Sequence, residues 1–134
     1  MIPTTQTALH DPDNGVIGNC LSAVLASLLH LPIELVPLFA NNETWAKDLN
    51  VWLRPYGLAY IQFNPEFKQS LADYGIQGLH HEVAGPSPRF ADVLHACVGL
   101  DCEMAFDPHP SRDGLLALET YGVFVALEPW RMLA

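Results

Sequence analysis

Residues 92–107 read DVLHACVGLDCEMAFD, two runs of alternating character around a short break. Alternation with a period of two marks a half-buried strand, and two such runs this close predict an antiparallel hairpin. On the first run Leu94, Ala96 and Val98 share a face, with His95, Cys97 and Gly99 on the other. On the second, Met104 and Phe106 share a face opposite Glu103, Ala105 and Asp107. A one-residue slip turns a whole strand over, so the apolar faces decide the register. A two-residue loop at Leu100 and Asp101 would set Val98 against Glu103. A turn of three or five residues, or a bulge of the same effect, sets Val98 against Met104 and Ala96 against Phe106. That second register is the expected one. It places His95 directly opposite Asp107, with Cβ atoms about 4.5–5.5 Å apart, near enough for a carboxylate to hold an imidazole.

Outward from this hairpin the chain divides into helices first and strands after. LAYIQFN (58–64), HHEVAG (80–85) and YGVFVALEPW (121–130) are further strand candidates, FKQSLADYG (67–75) is a short helix, and GPSPR (85–89) is an ordered loop. Upstream, Leu21, Val24, Leu25 and Leu28 follow the i, i+3, i+4, i+7 spacing of a helix running from Asn19 to about Leu29, with Asn19 as N-cap. Pro32 and Pro37 bracket a helical turn, and NNETWAKDLNVWLRPYG predicts a helix from about Asn42 to Arg54, stopped by Pro55 and Gly57. Helices followed by a mainly antiparallel sheet make an α+β domain. At 134 residues, without repeat, low-complexity tract or charge block, the chain reads as one domain, 1–134.

Fifteen acidic against six basic residues leave a formal charge of −9. Such a field repels phosphate backbones and anionic lipid, so neither nucleic acid nor membrane is an expected partner, whereas a peptide or protein substrate is compatible with it. The N-terminus has no basic segment followed by an apolar one, and no apolar run approaches a membrane span, which predicts a cytoplasmic protein. Three cysteines without a secretion signal argue for thiols in a reducing compartment.

Nucleophilic cysteine chemistry needs a thiolate, favoured by a helix N-terminus and an adjacent imidazolium, and a group that orients the imidazole. Cys20 stands at the predicted start of a helix, and His95 with Asp107 supplies the other two parts. Each has a plainer reading: a small buried hydrophobe for Cys20, a half-buried histidine for His95, a turn former for Asp107 before Pro108. Cys97 and Cys102 are read as structural. His80, His81 and His109 do not combine with them into zinc-knuckle spacing, so no metal is expected. Trp45, Trp52 and Trp130 are read as core or groove-lining, and Arg89 as a loop anchor or a substrate contact.

Three blocks carry a resemblance: GNCLSAVLASLLHLPIELVPLF (18–39), GPSPRFADVLHACVG (85–99) and FDPHPSRDGL (106–115). Their order and residues resemble the papain-like cysteine peptidase superfamily, specifically small bacterial and phage members similar to bacteriocin-leader peptidases. The resemblance implies a minimal papain-like fold with Cys20 as nucleophile, His95 as general base and acid, and Asp107 as orienter. It implies no cofactor. Papain-like enzymes use a side-chain amide six residues before the cysteine as oxyanion donor; that position is Asn14, a departure from the usual Gln, with Asp13 or Asn19 as substitutes. The implied activity is thiol hydrolysis of a peptide, isopeptide or related amide bond, with acyl transfer open to the same triad. The alternative is an inactive papain-like binding or inhibitory protein, phage-derived and directed at a host protein, since a fold does not fix a function.

Overall fold

A computed structural model describes residues 1–39 and 42–130, so Asn41, the first residue of the quoted helical stretch, lies outside the described residues. The described elements are α1 (Cys20–Leu29), α2 (Trp45–Leu53), β1 (Leu58–Phe63), α3 (Phe67–Asp73), β2 (His80–Pro86), β3 (Leu94–Leu100), β4 (Glu103–Phe106) and β5 (Thr120–Ala126). Short 3-10 turns cover Pro12–Asn14, Ile33–Leu35 and Arg54–Tyr56. The strands form one open antiparallel sheet in the order β1-β5-β2-β3-β4. The expected α+β class is therefore present, with helices on both faces of the sheet.

Each face has its own core. On one, α1 and α2 pack Leu21, Val24, Leu25, Leu49 and Leu53 against Tyr60, Ala96 and Val98. On the other, Phe67 and Leu71 of α3 cover Val83, Cys97 and Tyr121. Helix α1 is buried along nearly its whole length, Leu21 to Ser27. Its two serines are therefore paired: Ser22 Oγ donates to Pro37 O and Ser27 Oγ to Ala23 O, both at 2.8 Å, as buried hydroxyls require. Full burial of a leucine such as Leu25 contributes roughly 2 kcal/mol, so this helix is anchored chiefly by packing. Among the described residues no helix is long and apolar enough to cross a membrane.

The hairpin departs from the expected register. Its turn is a two-residue one at Asp101 and Cys102, both left-handed with φ of 50° and 67°, which suits the twist of paired strands. Asp101 holds the turn in place by accepting the N–H groups of Gly78 and Leu79 at 2.9 and 2.8 Å. Leu100 pairs with Glu103 and Gly99 with Met104, and a bulge then shifts the ladder so that Val98 pairs with Phe106. Ala105 is the extra residue. Met104 and Phe106, expected on one face, thus lie on opposite ones, Met104 against the α3 core and Phe106 against the α1 core. Continued one step, the pairing sets Asp107 opposite Cys97, so His95 meets Asp107 on the diagonal and not directly.

Other expectations shift at their ends. Pro86, read as loop, completes β2, and β5 stops at Ala126, short of Trp130. Trp130 is exposed, whereas Trp45 and Trp52 pack against the α1 core. Leu94, expected on the apolar face with Ala96 and Val98, is 69% exposed.

Candidate active site

The N-terminal arm, helix α1 and the β3–β4 hairpin converge on one cavity. Asn19 precedes α1, but its side chain makes no cap bond to the helix. Its Oδ1 accepts the N–H groups of Thr7 and Ala8 at 3.0 and 2.9 Å, and its Nδ2 donates to Thr7 Oγ1. The arm is thereby tied to the start of the helix. Further along, Ile2 N donates to Ser27 O and Gln6 N to Pro108 O, both at 2.9 Å. Arg112 closes the far side, donating to Asp107 O and Thr5 Oγ1 at 2.7 Å each.

Gln6 of the arm stands on the wall of an open cavity of about 570 Å³ that is also lined by Cys20, Trp45, Glu82, Arg89 and His95. Cys20 is its first-turn thiol. The backbone N–H groups of Ala96, the residue after His95 on β3, and of Leu21 favour the Cys20 thiolate. Burial nevertheless pushes the Cys20 thiol above its ordinary range, the two N–H groups recovering only part of the cost. The thiolate expected from the helix start is thus not the resting form, because desolvation outweighs the backbone donors.

Asp107 is the most heavily bonded carboxylate in the region. Its Oδ1 accepts from His95 Nε2 at 2.7 Å and from His109 N at 2.8 Å, and its Oδ2 from Gly114 N at 2.7 Å. Burial pushes it up, but these donors hold it below the usual carboxylate range. An ionised Asp107 fixes the proton of His95 on Nε2 and leaves Nδ1 as the basic atom. Burial lowers His95 more than Asp107 raises it, so the ring rests neutral. A neutral thiol and a neutral imidazole therefore share the cavity.

Cys97, read as structural, is fully buried in the core on the α3 side of the sheet. Its thiol is pushed far up, by burial first and by the neighbouring Asp107 carboxylate second. His95, Cys97 and Asp107 present one potential ligand atom each within 4.8 Å. Zinc would require a Cys97 thiolate and the surrender of the His95–Asp107 hydrogen bond, so the donor set is a poor fit to a metal.

Asn14 is placed away from this group. It is exposed in the 3-10 turn, its Nδ2 donated to Asp11 Oδ2 at 2.7 Å. Asn19 is spent on the arm, and Asp13 is exposed on the same turn as Asn14. The amide that reaches the cavity belongs to Gln6, which is 93% buried, donates Nε2 to Ala8 O at 2.9 Å and leaves Oε1 without a partner. Gln6 is the only glutamine before Cys20. A search for an amide at any upstream distance would have found it; a fixed offset of six residues could not, because the loop from Thr7 to Asn19 intervenes. Comparisons with protein-family models, curated proteins and solved structures find no match to this chain.

Cys20 supplies an ionisable thiol, His95 Nδ1 a base held in a fixed tautomer, and Gln6 with the first-turn N–H groups a set of donors. Glu82, which the sequence did not mark, adds a buried carboxyl on the same wall.

Proposed function

We propose that this chain is a papain-like thiol hydrolase acting on a peptide, isopeptide or related amide bond, with Cys20 as nucleophile, His95 as base and acid, and Asp107 as orienter. The observation that carries the reading is the 2.7 Å contact between His95 and Asp107, with His95 on the wall of the same cavity as Cys20. As Sγ attacks the carbonyl carbon, His95 Nδ1 takes the thiol proton. The imidazolium, steadied by Asp107, then protonates the leaving amine as the C–N bond breaks and a thioester forms. Water, deprotonated by His95, attacks the thioester and releases the acid and the thiol. The Cys20 backbone N–H and the second Nε2 hydrogen of Gln6 stabilise the oxyanion, each donor contributing about 3 kcal/mol. Gln6 replaces Asn14 in that role. An amine in place of water would give acyl transfer through the same steps.

The raised thiol of Cys20 favours a second reading, a papain-like scaffold that binds a protein without hydrolysis. Turnover of p-nitrophenyl acyl esters, followed with intact-mass and peptide mapping, separates the two. Hydrolysis expects an acyl adduct on Cys20 alone, repeated release of p-nitrophenolate, and loss of both in Cys20→Ala with strong slowing in His95→Ala. A Cys20 that acylates once and never turns over, or that acylates equally well without His95, leaves the binding reading.

A further inference from the structure

Glu82 is a buried acid that the proposed chemistry does not use. It sits on β2, 2% exposed, paired with Val98 and Gly122, and it lines the same cavity as Cys20. Its Oε2 accepts the Tyr60 hydroxyl at 2.8 Å, the one hydrogen bond it receives among the described residues. A neutral phenol does little to offset the cost of burying a carboxylate. The local sequence makes room for the pair: a Cβ at residue 122 would overlap both the Tyr60 hydroxyl and Glu82 Oε2, and Gly122 has none. Trp45 completes the arrangement, its ring edge-on to Tyr60 at 5.8 Å and its indole on the cavity wall. An indole face and a carboxylate without a cation are the two groups that attract an ammonium or guanidinium.

We infer that the part of the cavity bounded by Trp45 and Glu82 takes a cationic group, an ammonium or guanidinium, of the molecule whose carbonyl Cys20 attacks. Glu82 is its counter-ion, so the substrate class is a basic acyl compound such as a peptide with lysine or arginine near the reacting bond. The assignment rests on the proposed function. Around Glu82 the titratable neighbours are Tyr60 from β1 and Cys20 from α1, both raised by burial and neutral. Arg89 lines the cavity too, but its guanidinium bonds Ser111 Oγ at 3.1 Å and faces Asp113 at 3.9 Å. Burial holds Glu82 at about 7, so an arriving cation both meets and promotes the ionised form.

Three methanethiosulfonates of similar size test this on the intact protein: the trimethylammonioethyl, the neutral 3,3-dimethylbutyl and the sulfonatoethyl reagents. In each, the thiolate attacks the sulfenyl sulfur, a mixed disulfide forms and methanesulfinate leaves. The ratio of cationic to neutral rate cancels the thiolate fraction of Cys20. At pH 8 that ratio is expected to be about tenfold above unity, with the anionic reagent slowest, and to collapse towards unity in Glu82→Gln. An equal ratio in both proteins overturns the cation site while leaving the thiol reading intact. Failure of all three reagents to modify Cys20 overturns the reading beneath it. Should Glu82→Gln not fold, the unmodified protein decides alone: its ratio must climb as pH rises through about 7, and a flat ratio overturns the inference.

Discussion

His95 Nε2 stands 2.7 Å from Asp107 Oδ1, and the two meet on the diagonal of a bulged hairpin instead of across a rung. Asp107 lies one residue beyond β4, where its remaining lone pairs are taken by the N–H groups of His109 and Gly114. The carboxylate therefore does two jobs. It fixes the imidazole tautomer, and it closes the turn that follows the strand.

Asp107→Asn is expected to impair both. An amide N–H must face a donor that the carboxylate accepted, and roughly 3 kcal/mol of stability should go with the broken buried pair. His95 should titrate lower still, having lost the group that raises it. Because Asp107 is held below its ordinary range, its stabilisation is present above the unfolded carboxylate pKa and is lost as pH falls through the lower folded value. Urea unfolding against pH and the imidazole NMR shifts of the variant check this; an unaltered His95 titration would remove Asp107 from the orienting role.

Gln6→Ala and Asn14→Ala should part company. Loss of the Gln6 amide is expected to lower kcat on acyl esters by about 10²-fold, with the rate of Cys20 alkylation nearly unchanged. Asn14→Ala should leave kcat within about twofold, since its amide is spent on Asp11. The reverse order would restore Asn14 as the oxyanion donor.

Glu82 sets a pH dependence of opposite sign to that of Asp107. Its folded value of about 7 against an ordinary 4.5 means the folded state holds the proton more tightly. The associated stability is complete below pH 4.5 and is lost as pH rises through about 7, a change of roughly 3 kcal/mol. Glu82→Gln should therefore unfold at higher urea than the parent at pH 8.5 and at similar urea at pH 4.5. Taking the difference between the two proteins at each pH removes the contributions of His81 and His95, which are lowered by burial and slope the other way. A constant difference across the range would mean that Glu82 is not ionising in the fold.

Gly85 pairs with His95 across β2 and β3, and a Cβ there would overlap the backbone carbonyl of Ala117. Gly85→Ala is expected to cost upwards of about 3 kcal/mol, because backbone on both sides must move. Thermal unfolding gives the measure. A variant as stable as the parent would show that the 115–119 segment does not press on β2.

Much of the architecture could be read from local pattern. The leucine spacing after Asn19 predicts α1, and Cys20 is its first residue. Alternation around Leu100 and Asp101 predicts two paired strands, and these bring His95 to Asp107, though on a diagonal and without the single apolar face on which the expected direct pairing rests. The register did not follow, because a two-residue turn with two left-handed residues and a bulge at Ala105 puts Met104 and Phe106 on opposite faces, where a longer loop would have kept them on one. Periodicity constrains parity, and a bulge changes parity without leaving a mark in the pattern.

What the sequence by itself determined is the list of elements, the helix that begins at Cys20 and the strand pair that carries His95 and Asp107. Each of these depends on neighbours within a few residues, where side-chain period and backbone preference act directly. Only the tertiary structure decided that Gln6 and not Asn14 enters the cavity, that Cys97 lies beside Asp107, and that Glu82 is buried beside Tyr60 and Trp45. Those placements join residues far apart in the chain, and desolvation, which sets the charge of Cys20 and Glu82, exists only once the arm, helix and sheet have closed around them.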